Sequence, residues 1–187
     1  IRRNVFHDYF DGATTCPEDN GAATNETDFY ENEIYNTGDD ALSADGACSN
    51  VRIWGNVMHN VLVGISFAPI YEGPIYAIRN LIYNIDAGNN NYPGITFKFN
   101  SGYDQSGRMY LFHNTADAIR PDNSGFSIKS PGTWQMIVSR NNIWAGTNYA
   151  IDNANTSQPL DFDYDNFYTT GPELAWWGGT HYGNLAA

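Results

Sequence analysis

The chain has 187 residues, nine Lys and Arg against 21 Asp and Glu, a formal charge of −12, and 42% hydrophobic and 15% aromatic residues. That apolar content supports one folded core rather than intrinsic disorder, and the negative balance argues against a nucleic-acid partner, whose phosphates must be neutralised by cations. The apolar-rich stretch from Val61 to Tyr71 is too short for a bilayer and is broken by Gly64, Ser66 and Pro69, so no membrane insertion is expected.

In chain order, one phrase recurs: an apolar residue, two variable residues, Asn, and an apolar residue two positions later. It occurs at Ile1–Phe6, Phe29–Ile34, Ile53–Met58, Ala77–Ile82, Leu111–Ala116 and Val138–Ile143, with a last copy at Phe162–Phe167. The marked positions Asn4, Asn32, Asn56, Asn80, Asn114, Asn141 and Asp165 lie 28, 24, 24, 34, 27 and 24 residues apart. A base period of 24 held through seven copies is the mark of a repeat architecture, the longer intervals being loop insertions. A second phrase follows in each period: Asp40–Ala44, Val63–Phe67, Pro93–Phe97, Ser124–Ile128 and Tyr149–Asn153. Its alternation predicts short half-buried strands, with Leu42, Ile65, Ile95, Phe126 and Ile151 inward and Ser43, Ser66, Thr96, Ser127 and Asp152 toward solvent.

No window carries an apolar 3.6 period, so helix is excluded. A 24-residue repeat of several short strands, without a Leu-x-x-Leu-x-Leu frame, predicts an all-β fold: a single-domain right-handed parallel β-helix of about seven rungs over residues 1–168. The Asn column then reads as scaffold, a side-chain ladder that satisfies backbone groups at a bend. Residues 169–187, with Trp176, Trp177 and Tyr182, predict a C-terminal tail or cap. No basic n-region with an apolar run opens the chain, and Ile1 already lies inside a rung phrase. A piece lacking N-terminal rungs or a cap is expected, meeting those rungs or another copy end to end. Cys16 and Cys48 have no His or Cys at zinc spacing; one disulfide and two thiols are both open. The cysteine pair, the scarcity of Lys and the many Asn and Tyr residues point to a secreted or cell-surface protein.

The run Gly38-Asp39-Asp40-Ala41-Leu42-Ser43, then Asn50-Val51-Arg52-Ile53-Trp54-Gly55-Asn56 and Val63-Gly64-Ile65-Ser66, resembles the right-handed parallel β-helix repeat proteins of the pectate-lyase-like superfamily. The stretch Pro69–Tyr76 leading into Arg79-Asn80 resembles uncharacterised secreted bacterial members of that group. The resemblance spans residues 1–168 and implies a carbohydrate-active protein that binds or cleaves a polysaccharide along an outer face. The alternative is a non-catalytic structural, adhesive or filament-forming β-helix, since the superfamily also holds tailspikes and adhesins.

Three sets of residues carry the chemistry. The Asp39-Asp40 pair resembles the paired aspartates of polygalacturonase-type hydrolases, in which two carboxylates divide acid and base roles; the Gly-His and Arg-x-Lys segments of that family are missing here. In a lyase reading, Asp39, Asp40 and Asp45 hold calcium, the one cofactor these residues suggest, with Lys98 or Lys129 as base. The repeat alignment places Asp45, Ala68, Lys98 and Lys129 in one outer column, where a bound anion would relieve the two lysines. The positions before each Asn form another column, Arg3, Glu31, Gly55, Arg79, His113, Arg140 and Tyr164; His113 and Arg140 are candidates for substrate contact, as are Asp45 and Tyr71. Tyr30, Tyr76, Tyr92, Tyr103, Trp134 and Trp144 are candidate stacking rings, and Asp161, Asp163 and Asp165 a further acidic cluster. Each has a structural alternative: a solvated turn, an exposed lysine stem, a bend residue.

Charge is uneven along the chain. Residues 1–50 hold eleven of the acids and two of the bases, whereas residues 98–140 hold five bases and three acids. In a solenoid this is an axial gradient, so an acidic polysaccharide stays open as partner.

Overall fold

The bend that carries the Asn repeat sets the geometry of the fold. In the computed structural model, which describes residues 1–16, 24–85, 94–99, 107–120, 123–128 and 132–185, Asn4, Asn32, Asn56, Asn80, Asn114 and Asn142 stack in a ladder ending on Asp165. Each Nδ2 donates to the Oδ1 of the next turn at 2.9–3.2 Å, and each backbone N–H donates to the same oxygen. The second Nδ2 hydrogen goes to a backbone carbonyl, as from Asn80 to Ile53 and from Asn114 to Ala77. The residue just before each ladder position is left-handed: Arg3, Glu31, Gly55, Arg79, His113, Asn141 and Tyr164 all have φ between 53° and 65°. Non-glycine residues reach that region at a cost of about 1 kcal/mol or more each, which the ladder's hydrogen bonds offset.

Two expectations change here. The sixth ladder member is Asn142, because Asn141 is the left-handed residue before it. Seven ladder positions also bound about six turns rather than seven, a stack roughly 29 Å long at strand spacing.

All pairing between successive turns is parallel among the described residues, and none of them is helical. After the ladder, Phe6, Ile34, Met58, Ile82, Ala116, Trp144 and Phe167 stack as one inward column. Before it, Phe29, Ile53, Ala77, Leu111, Ser139 and Phe162 form another, in a six-stranded sheet. Burying such columns of side chains, at about 1.5–3 kcal/mol each, drives the stacking. The buried Ser139 hydroxyl accepts from Asn142 Nδ2 at 2.9 Å and from the Trp144 indole at 3.3 Å.

The strands Glu33–Ser43 and Val57–Ser66 run on through a second bend, with a register slip between Thr37 and Asp40. Beyond it lie the inward residues Leu42, Ile65, Phe97, Phe126 and Ile151. The backbones approach closely at this bend. A Cβ on Gly64 would sit 2.4 Å from the Thr96 carbonyl oxygen and 2.8 Å from Ile82 Cγ2. The third copy of the second phrase is offset from expectation: Ile95 pairs with Val63, Phe97 with Ile65 and Lys98 with Ser66. Packing volume decided this, since the phenyl ring of Phe97 fills the core position that Ile95 was expected to take. Ser43, Ser66, Thr96, Ser127 and Asp152, all expected toward solvent, are buried, and Thr96 donates to the Gly125 carbonyl at 2.5 Å.

The segment after residue 168 does not leave the stack. Ala175–Trp177 adds in parallel to Tyr149–Asn153, then turns back as an antiparallel hairpin with Thr180–Tyr182. That reversal changes the hydrogen-bonding edge the last turn presents. At the other end a disulfide joins Cys16 to Cys48, binding the first described turn to the second, with Cα atoms 5.5 Å apart. Both half-cystines are buried.

Candidate functional site

The second bend, on its outer side, brings acidic and basic residues together. Asp40 stands beside Asp11 in the strand register, since Gly12 N–H donates to the Asp40 carbonyl at 2.9 Å and Ala13 pairs with Leu42. From Asp40 the column continues through Val63, Ile95, Ser124 and Tyr149. Three residues further along each strand runs a parallel column: Thr14, Ser43, Ser66, Lys98, Ser127, Asp152 and Trp176. Lys98 therefore lies in the hydroxyl column rather than in line with Asp45 and Ala68. Its side chain reaches back across the strand Val57–Ser66, and Nζ lies 3.5 Å from Asp40 Oδ1. Lys129 lies outside the described residues.

Electrostatics distinguish the three carboxylates. Asp40 has only 8% of its side chain exposed. Burial pushes its carboxyl up to about 7; the Lys98 charge opposes that shift, and Asp45, Asp39 and Asp11 add to it. Lys98 is partly buried, which disfavours its charge, but Asp40, Asp45 and Asp39 together outweigh burial and raise its pKa. Asp45 is also raised by burial, against hydrogen bonds from the Ala68 N–H and the Ser66 hydroxyl. Those bonds are 2.5 and 2.8 Å long, with Ser43 at 3.4 Å. Asp45 is thus turned into the fold, tying Ser66 and Ala68 of the next turn. Asp39 is half-buried, and its N–H donates to the Phe10 carbonyl at 2.8 Å.

Two exposed rings flank the acids, and neither was singled out in the sequence. Tyr9 is 64% and Phe10 70% exposed. The Phe10 ring lies over Gly38, where an added Cβ would stand 3.2 Å from Phe10 Cδ2. The signal was present: Gly12-Ala13-Thr14 is a shadow of Ala41-Leu42-Ser43 one turn earlier, which puts Phe10 and Asp11 beside Asp39 and Asp40.

The other expected residues are placed elsewhere. His113 is exposed at the ladder bend between Arg79 and Asn141, the far end of the sheet from Asp40. Arg140 falls one position before that column and is held by Asp161, at 2.6 Å from Nη2 to Oδ2. Asp161 raises the guanidinium pKa through that hydrogen bond. Tyr71 follows the bridge between Gly46 and Ile70, its N–H donating to the Gly46 carbonyl at 3.1 Å. Among the described residues no three His, Cys, Asp or Glu side chains are grouped to hold a metal ion, so Asp39, Asp40 and Asp45 form no calcium cage on their own.

The expected stacking rings are mostly occupied. Trp134 and Trp144 are buried. Tyr30 stacks on Trp54 at 4.1 Å and Tyr76 on Tyr110 at 5.1 Å, so one face of each ring is covered by its partner. Tyr92 and Tyr103 lie outside the described residues. Compared with known protein families, curated proteins and solved structures, the chain matches none.

Proposed function

We propose that this solenoid is a secreted, pectate-lyase-like carbohydrate-active protein that hydrolyses a polysaccharide laid along the outer side of the second bend. The observation that carries the proposal is Asp40, a buried carboxyl poised near neutral pH, with the Lys98 Nζ 3.5 Å away and a second, more accessible acid, Asp39, beside it. Asp40 is the proton donor to the glycosidic oxygen. Asp39 accepts the proton of the attacking water, so one C–O bond breaks, another forms, and the protons balance. Lys98 lets Asp40 ionise after it has given up its proton. Tyr9 and Phe10 offer the exposed rings that a sugar face packs against. The disulfide supports the oxidising compartment.

Elimination is the weaker reading, because a lyase needs a neutral base and Lys98 is held charged by the acids around it. The test is a screen of neutral and uronic polysaccharides for new reducing ends and for the ultraviolet absorbance of unsaturated ends, with wild type, Asp40→Asn and Asp39→Asn. Reducing ends lost in both variants are the expected result, by roughly 10²–10⁴-fold for Asp40→Asn. Unsaturated ends would mean elimination. Binding without any product would mean that the solenoid is an adhesive or structural module.

A further inference from the structure

The outer face of the six-stranded sheet, the sheet before the ladder bend, is an apolar flank on an acidic molecule. Its strands are Asp28–Tyr30, Val51–Trp54, Ile75–Ile78, Arg108–Phe112, Met136–Arg140 and Leu160–Asp163, and every second residue points outward. In the middle turns the outward residues are Trp54, Tyr76, Ile78, Tyr110, Phe112 and Val138, all half-buried, each showing part of an apolar side chain to solvent. Arg2, Arg52, Arg108 and Arg140 stand around them with Asp28, Asp161 and Asp163. The face thus holds four of the nine basic residues and three of the 21 acids, so two copies of this chain can meet here without bringing their acids together. Aromatic rings with Arg, and without Lys or Glu, are also the make-up of a protein interface.

One column of this face runs from Arg2 to Asp163 with Ile78 at its centre. We infer that the face binds a second copy of the chain, sheet against sheet, about a twofold axis lying along the strand Ile75–Ile78. Such an axis reverses the order of the turns and lays each column on itself. It sets Arg2 against Asp163 of the partner subunit, and the same pair forms again at the other end. By the same symmetry Tyr30 meets Arg140, Trp54 meets Phe112, and Ile78 meets itself. Arg2 donates to the Tyr30 hydroxyl at 3.1 Å, and neither it nor Asp163 has an ion-pair partner among the described residues. Arg52 and Arg140 are already paired with Asp28 and Asp161, so they bring packing rather than free charge. Neighbouring registers are worse: an axis in the gap before Ile75–Ile78 opposes Arg2 to Arg140, and one in the gap after it opposes Asp28 to Asp161. The face measures roughly 29 by 17 Å at strand and residue spacing. Two copies therefore bury on the order of 1,000 Å², the lower limit for a specific interface, which calls for micromolar association. Asp40 lies beyond the second bend, so this pairing leaves the proposed catalytic site uncovered and does not depend on it.

Sedimentation equilibrium of the full, oxidised chain at low salt should show a monomer–dimer equilibrium in the micromolar range. Arg2→Asp and Asp163→Arg should each weaken it about fivefold or more, because each sets like charges together at both ends of the interface. An equimolar mixture of these two variants should associate about as tightly as wild type, since the mixed pair opposes unlike charges at both ends. Trp54→Ala should weaken the dimer about tenfold or more, with circular dichroism to confirm its fold. The charge variants change exposed side chains and keep the test decisive if Trp54→Ala does not fold. A chain that stays monomeric up to about 1 mM, or a dimer indifferent to all three variants, would overturn the inference. Weakening by both charge variants without recovery in their mixture would overturn the twofold arrangement. Binding of the monomer to phosphatidylcholine vesicles, lost in Trp54→Ala, would give the face to a membrane surface and overturn the second copy as its occupant.

Discussion

Asp40→Asn makes the sharpest test of the electrostatics. In the folded chain the Asp40 carboxyl is pushed up to about 7, against an ordinary value of 3.8. The folded state therefore holds that proton more tightly than the unfolded state does. By linkage, the wild type is most stable below the unfolded value and loses stability as pH rises from about 4 to about 7, with no further loss from this group above that. The full difference is on the order of 4 kcal/mol, taking 1.36 kcal/mol for each step of tenfold. Asparagine imitates the protonated carboxyl at every pH and keeps a carbonyl toward Lys98, which retains Asp39 and Asp45. The expected result is a variant near wild-type stability at about pH 3 and more stable than wild type by up to roughly 4 kcal/mol at about pH 8.5. Denaturant unfolding at several pH values measures this, and carbon-13 titration of the Asp40 carboxyl checks it independently. A stability gap that is the same at both pH values would refute the reasoning, because it would mean that Asp40 ionises as freely folded as unfolded.

Other substitutions test the scaffold and the site separately. Replacing Cys16 and Cys48 by Ser opens a cross-link spanning 32 residues and should cost about 3–4 kcal/mol by chain entropy, measured as a lower denaturation midpoint than the oxidised wild type. Asn80→Asp should destabilise by about 2–4 kcal/mol, because it removes the donor to both Ile53 O and Asn114 Oδ1 inside a buried ladder, while Asp165→Asn at the ladder's last place should be within about 0.5 kcal/mol of wild type. Gly64→Ala should cost about 1–3 kcal/mol, since the methyl would press on the Thr96 carbonyl and Ile82, and a thermal melt at or above that of wild type would contradict the packing argument. Lys98→Met should raise the pKa of Asp40 further, seen as an upward move of its carbon-13 titration midpoint, and a downward move would place the ammonium elsewhere.

The fold was legible because its strongest signal is a repeated side chain with a single physical duty. Asn can accept from one turn while donating to the next, so the stack requires it at each inner place. The last place has only to accept, which is why Asp165 serves there and the seventh copy looked weaker. Where the sequence misled, two candidates competed for one slot. Asn141 and Asn142 both fit the phrase, and only the left-handed backbone at Asn141 decides between them. Ile95 and Phe97 both fit the second phrase, and core volume decided. A second polar column, Asp8, Asn36, Asn60 and Asn84, follows the first by four residues; its Nδ2 groups donate one turn back, opposite to the first ladder, and all four are left-handed.

The candidate site was legible only in part, for a reason that belongs to solenoids. Asp40 and Lys98 are 58 residues apart, and no spacing rule pairs them; what pairs them is a register. That register depended on Lys98 joining the column of Ser43, Ser66 and Ser127, two places from where the phrase alignment set it. The correction changes the chemistry as well as the address. Aligned with Asp45 and Ala68, Lys98 would be one of two stacked lysines waiting for an anion, and a uronate would be the natural guest. In the hydroxyl column it faces Asp40 across an intervening turn whose outward residue there is the apolar Val63. Burial raises the pKa of Asp40, while the ammonium beyond limits the rise. The acid near neutrality is therefore a product of the burial of Asp40 and of the register that brings Lys98 to it from two turns on, and neither residue carries it alone.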